Sequence, residues 1–496
     1  MHNFPGTGSA KRAIYSEITA LHAILKASEF NDMAQLGEAI SRYHKLVEQD
    51  GFRNSAWADE LQERMRQLHL TESGRLVAPI LRPHFISRRQ LDTLTRVTTH
   101  LAEILDRVEA IALASPHLLS RLQMLPAEKM LAAIPSGYSR FSVTSSMDAA
   151  VRNGSLSLQG LDACKPVGLA YSSLLADLFL ELPIVKEFKR GRYKLSKIGG
   201  SKHLSTAIHE TWREFEKKSR PAGSRNGHVP SKPSIAVLQI CQENGSGPAT
   251  SQGSLLAESL NQQGAIARLV SPEQLEYSDG KLRSGDFVID VVYRLLLTRE
   301  LLARFDLSHP LLRAYRDRAV CVVNSFRSEF AQRRSLFELL TDDAVTAHLS
   351  TADRKLIRTF VPWTRIVSAR KTHHEDKEID LPAFILEQRE HLVLLPSDDT
   401  PDQRIFKGSE MTQIAWDRAL RVAMRSPYVV QERRSVSHET FPVYQYGEFK
   451  MKETEVSVHP YIFNGHMHGA SAILNTSSNG SATHLAVAPV LLLEDN

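Results

Sequence analysis

The chain has 496 residues, 42% of them hydrophobic and 24% charged, and a formal net charge of +5 from 61 Lys and Arg against 56 Asp and Glu. This is the composition of an ordinary globular protein long enough for several domains. The charge excess is too small to indicate a nucleic acid or an anionic membrane as partner, and no apolar run reaches the ~20 residues a membrane helix needs.

Residues 13–130 read as helical. Ile14, Ile18, Leu21 and Leu25 recur at helical steps, and Leu91, Leu94, Val97, Leu101, Ile104, Leu105, Val108 and Ile111 give one apolar face over about five turns. From 137 the pattern turns strand-like, with two strands joined through a helical turn at 148–151, then a helix over 171–179. Residues 217–233, KKSRPAGSRNGHVPSKP, form the best linker. Beyond it strands alternate with helices. Strands are expected at 235–240, 266–270, 287–293 and 319–324, with helices at 254–263, 311–316 and 334–340, as in a parallel α/β layer. Ser350 and Asp353 make a capping box. A short helix at 383–389, a strand at 391–395, an amphipathic helix at 411–424 and a strand at 428–431 follow, and then antiparallel strands. The expected division is 1–136 helical, 137–232 completing the core, 233–345 an α/β domain and 346–496 a mixed lobe.

Few chemical motifs stand out. The Gly-rich stretch 243–253 matches neither a dinucleotide fingerprint nor a P-loop, so plain connection and anion binding both stay open. His459, His466, His468 and His484 have no carboxylate or thiol at ligand spacing and read as surface or hydrogen-bonded histidines. No G-x-S-x-G and no C-x-x-C occurs. Cys164, Cys241 and Cys321 lie far apart and read as buried thiols in a reducing compartment. The start of the chain has no apolar signal core, so a cytoplasmic protein is expected.

The informative stretch is LVLLPSDDTPDQRIFKG at 392–408, a helix-like segment, then YVVQE at 428–432. Strand, loop, helix and strand in that order suit a lobe that holds a triphosphate and contacts adenine at its hinge. These residues resemble the circularly permuted ATP-grasp family that includes glutathionylspermidine-synthase-like proteins. LVLLPSD at 392–398 resembles its L-V-L-K-P-x-D strand end, and YVVQE its hinge. VNSF at 323–326 with RRSLFELL at 333–340 resembles its V-N-P strand and K-x-L-L-x-L-L helix. VPWTR at 361–365, the strand and turn at 154–168, and Asn475 before small residues fit the same pattern.

The resemblance implies an α/β and α+β, ATP-grasp-like (glutathione-synthetase-like) fold with a helical N-terminal region. It implies ATP and Mg²⁺ as cofactors, a small-molecule or peptide substrate, and a carboxylate–amine ligase working through an acyl phosphate. Carried over by position, Gln431, Glu432, Val430 and Asp398 would hold the nucleotide, Arg334, Lys407 and Arg404 would face phosphate, and Asp162 and Asn475 would hold metal. Yet Leu395 stands where the strand-end lysine belongs, Arg334 replaces the helix lysine, and Ser457 and His459 stand in place of an aspartate and an arginine. A non-catalytic protein on the same scaffold, binding a nucleotide, a peptide or a partner protein, is therefore the second reading. No nucleic-acid or membrane partner is expected. A homo-oligomer stays open.

Overall fold

The computed structural model describes residues 34–72, 74–152, 155–219, 232–240, 252–398, 404–433, 437–476 and 484–495. The expected helix around Leu21, Cys241 and nearly all of the Gly-rich loop lie outside these residues, as does most of the expected linker.

The largest element is an eight-stranded sheet with its central strands antiparallel. Glu448–Phe463 is its spine. The first half of this long strand pairs with Ser437–Gln445 and the second half with Thr144–Arg152, while His466–Thr476 runs along its other edge. His484–Asp495 follows, and pairs with both His84–Ser87 and Tyr193–Lys197. One sheet thus draws strands from both sides of the expected division at 346. The helix Arg88–Ala114 opens on Ser87, whose hydroxyl accepts from the Gln90 N–H while the Gln90 side chain accepts from Ser87 N–H. Leu94, Val97, Leu101, Ile104, Leu105 and Val108 then bury one face in the core of this sheet. The spacing in the sequence dictates that face.

Ser234–Leu238, Ile266–Val270, Val291–Arg294 and Cys321–Val323 form a separate four-stranded parallel sheet. Both its faces are apolar because helices cover both, as parallel sheets require. Asn324, 2% exposed, joins this sheet to the large one. Its side-chain oxygen accepts from the Val143 and Thr144 N–H groups, and its amide donates to the Thr144 and Ala163 carbonyls.

Three expectations change here. Within the stretch 13–130 read as helical, His84–Ser87 is a strand, its four residues all buried beside their partner His484–Asp495, and so short a buried run is one that periodicity does not distinguish from a helix. Residues 148–151 are strand, not a helical turn: a register shift after Asp148 breaks the alternation that would have marked them. The segment 287–293 is two strands, Phe287–Val288 in a small antiparallel sheet and Val291–Arg294 in the parallel one.

A small lobe stands over the large sheet. Its four antiparallel strands run Thr364–Ile366, Tyr428–Glu432, Leu392–Pro396, Phe406–Lys407. The helices Leu381–Glu387 and Gln413–Ala423 cover one face, burying Leu392, Leu394, Tyr428 and Val430 against Ile385, Trp416 and Leu420. Trp416 Nε1 donates to the Ile385 carbonyl at 2.8 Å, tying the two helices together. The other face looks across a cleft at the large sheet.

Candidate functional site: a cleft between two sheets

Strand alternation builds the cleft. On Leu392–Pro396 the even positions Leu392 and Leu394 enter the lobe core, so Val393 and Leu395 face the cleft. On Tyr428–Glu432 the same rule sends Val430 inward and turns Gln431 outward. On the opposite wall Glu455, Ser457 and His459 alternate with the buried Val456 and Val458. The cavity between these walls has a volume of about 400 Å³, within the usual range for a ligand pocket.

Arg334, Lys407, Gln431, Glu432, Asp162 and Asn475 all line this cavity, although they come from distant segments. Arg334 precedes the helix Ser335–Leu340, and its guanidinium donates to the Pro396 carbonyl at 2.9 Å. Lys407 Nζ lies 3.2 Å from Glu410 and 3.5 Å from Glu455. Gln431 is 2% exposed and donates to Thr364 Oγ1 at 3.0 Å, so its amide stiffens the hinge strand. Glu432 meets His374 Nε2 at 2.8 Å. Asp162 Oδ1 accepts from the Cys164 and Lys165 N–H groups, holding the turn after its strand.

Three expected contacts lie elsewhere. Val430 is fully buried among the lobe helices, on the opposite side of the strand from the cleft. Asp398 pairs with Arg333 at 2.7 Å and Arg299 at 2.9 Å and is not a cleft residue. Arg404 is exposed and accepts the Tyr428 hydroxyl on its backbone carbonyl. It is Ile405, the next residue, that lines the cavity.

Two acidic groups of the floor are not apparent from the motifs. Glu455 and Asn475 are directly opposed on neighbouring strands. Asn475 Nδ2 donates to Glu455 at 3.2 Å, and Asn475 Oδ1 is buried with no hydrogen-bond partner among the described residues. An orphaned amide oxygen beside a carboxylate is a donor set for a hard cation. Asp148, on the adjoining strand, lies 3.6 Å from His459 Nε2. Burial holds the His459 imidazole below its usual pKa, against the opposing pull of Asp148 and Asp162. The ring is therefore neutral at pH 7 and supplies no charge where an arginine would. Strand alternation from Ser457 and His459 back to Glu455 is the signal that finds this carboxylate.

The remaining histidines go to different places. His468 stacks on His203 with ring centroids 3.9 Å apart, while His466 lies 6.4 Å from His468. No group of three His, Cys, Asp or Glu arranged to hold a metal occurs among the described residues. Cys164 and Cys321 are buried free thiols, and no described helix is long and apolar enough to cross a membrane.

No protein-family model matches the sequence, and no curated protein matches it significantly. Solved structures do resemble it. A glutathione synthetase-like effector from Globodera pallida, in its apo form, is 13% identical over 90% of this chain and 98% of that one, with a TM-score of 0.51. A protein assigned as a gamma-glutamylcysteine synthetase from Methylobacillus flagellatus is 12% identical over 83% of this chain and 90% of that one, with a TM-score of 0.41. A RimK domain ATP-grasp protein from Sphaerobacter thermophilus is 17% identical over 52% of this chain and 90% of that one, with a TM-score of 0.26. The likeness to the effector is one of fold: the chain folds as a glutathione-synthetase-like, ATP-grasp-like α/β and α+β protein.

Proposed function

We propose that the cleft binds a Mg²⁺-nucleotide and that the chain is an ATP-dependent carboxylate–amine ligase, or a descendant of one. One observation carries this reading: Arg334, Lys407, Glu432, Asp162 and Asn475, chosen from scattered motifs, converge on a single cavity between two sheets. The motif order further supports kinship with the circularly permuted, glutathionylspermidine-synthase-like branch.

The residues fit the groups unevenly. Glu455 and Asn475 suit a magnesium ion, which when bound would neutralise phosphate charge. Arg334 and Lys407 would face phosphate oxygens, and the backbone around Glu432 would meet the base at the hinge. Gln431 positions that strand through Thr364. The acidic floor, with Asp148, Asp162 and Glu455, repels a bare triphosphate and so favours a metal-charged one.

A second reading, nucleotide binding without turnover, is favoured by Leu395, which puts an apolar side chain on the cleft wall where a cation would act. Lys407 is already shared by two carboxylates, and His459 is neutral. Losing one positioned cation commonly costs ~100-fold in rate.

Thermal unfolding of the full chain with and without Mg·ATP tests the first step. Ligand at about 100 times its Kd adds ~2.7 kcal/mol of stability. Absence of any shift at millimolar Mg·ATP sinks nucleotide binding. A shift without ADP release, in mixtures of amino acids and polyamines, sinks the ligase and leaves the second reading.

A further inference from the structure

A larger cavity, of about 920 Å³, opens beside the edge strand Thr364–Ile366, and the nucleotide reading makes no use of it. Arg121, Arg354, Arg365 and Arg370 line it, with Trp363 on its wall. Their positive charge is only partly answered. Glu338, itself fully buried, pairs with both Arg121 and Arg370, and Asp342 pairs with Arg121 at 2.7 Å. Asp343 is taken by Arg358 at 2.9 Å. The remaining wall acids are Glu432, bound to His374, and Glu375 and Asp376 at an exposed hairpin turn.

Arg365 is the anomaly. It is 6% exposed and no carboxylate lies within ion-pair distance among the described residues. Its guanidinium donates only to neutral oxygens: Thr372 Oγ1 at 2.9 Å, Thr341 Oγ1 at 3.0 Å, and the Thr364, Thr341 and His373 carbonyls. It also lies 4.9 Å from the Trp363 ring centroid. Burial pulls its pKa down; Glu338 and Asp342 oppose this, and the Arg370 and Arg121 charges add to it. Arg121 and Arg370 reach the same Glu338 oxygen, at 2.6 and 2.8 Å, so one carboxylate serves two guanidinium groups. The Nε–H groups of Arg121, Arg354 and Arg370 are each buried without a hydrogen-bond partner among the described residues. A buried guanidinium outside any direct ion pair is unfavourable, and unmade hydrogen bonds cost about 1–3 kcal/mol each. An oxyanion in the cavity would answer the excess positive charge, since arginine forks match phosphate and carboxylate geometry.

We propose that this second cavity binds a small ligand bearing a phosphate or carboxylate group, held by Arg121, Arg354 and Arg370, with Arg365 adding its charge and the body of the ligand against Trp363. The site is separate from the nucleotide cleft, yet Glu432 lines both cavities, so one side chain is their common wall.

Calorimetric titration of the full chain with pyrophosphate and, separately, with citrate tests the site. At least one anion binds, and which of them binds more tightly tells phosphate from carboxylate chemistry. Arg354→Ala weakens that binding about tenfold or more. Its unliganded melting temperature stays that of the parent, because no carboxylate or hydrogen-bond partner of the Arg354 head is lost. Lys407→Ala, in the nucleotide cleft, leaves the anion affinity unchanged. The proposal is overturned if neither anion binds, if binding survives Arg354→Ala, or if Lys407→Ala weakens it as much.

Discussion

Leu395→Lys is the most direct probe of the nucleotide cleft. Leu395 pairs with Val429 across the hinge strand, faces the cavity and is half-buried, so a lysine can reach into the cleft without entering the lobe core. A unit charge about 4 Å from a phosphate oxygen is worth roughly 4 kcal/mol at an effective dielectric of 20. The cleft is open to solvent, so about half of this is screened. After screening, about 1.5–2 kcal/mol is left, or roughly ten- to thirtyfold in Kd. Isothermal titration with Mg·ATP reads this directly, with Leu395→Met as a control for side-chain shape. The gain shrinks as salt is raised, as a charge effect must. An affinity unchanged or weakened in a variant with the parent's melting temperature refutes the placement of phosphate beside residue 395.

Glu455→Gln keeps the shape and removes the carboxylate beside Asn475. It is predicted to raise the Mg²⁺ concentration needed for nucleotide binding about tenfold, with binding at saturating Mg²⁺ nearly retained; an unaltered Mg²⁺ dependence dismisses the cation site. Asn324→Ala orphans two N–H groups and two carbonyls at the junction of the two sheets, and a loss of about 3–5 kcal/mol is expected in urea unfolding. A loss below about 1 kcal/mol denies the junction its role. Glu109 is 1% exposed, and burial, then the charge of Asp106, raises its pKa well above the ordinary carboxylate range. The unfolded chain then gives up this proton at lower pH than the folded one, so the stability contributed falls as pH rises through that interval. Glu109→Gln should flatten the decline in stability as pH rises above the ordinary carboxylate range, by up to ~1.4 kcal/mol per pH unit. Superimposable pH profiles for variant and parent contradict the assignment.

What could be read in advance followed periodicity. The helix Arg88–Ala114 and the strand Leu392–Pro396 obey simple repeats, and both stand close to where the pattern placed them. Asp148 did not, since a shifted register hides the two-residue rhythm. Motif position chose Val430 along with Gln431, although adjacent strand residues point to opposite faces; alternation alone distinguishes them. Asp398 belongs to a familiar string, yet two arginines from other segments, Arg299 and Arg333, occupy it. The second cavity was illegible for a related reason. Arg121 comes from a helix far upstream of Arg354, Arg365 and Arg370, and only the folded chain brings it to their wall.

The strand His484–Asp495 has a consequence for how the protein is made. It is the sheet partner of both His84–Ser87 and Tyr193–Lys197, and Arg88 meets Glu494 there across 406 residues of chain. At a synthesis rate of about 5–20 residues per second, the early strand waits ~20–80 s for its neighbour. During that interval its edge is an open template for pairing with other chains. Ribosome-bound chains arrested before residue 484 should therefore lean on chaperones far more than the released protein does.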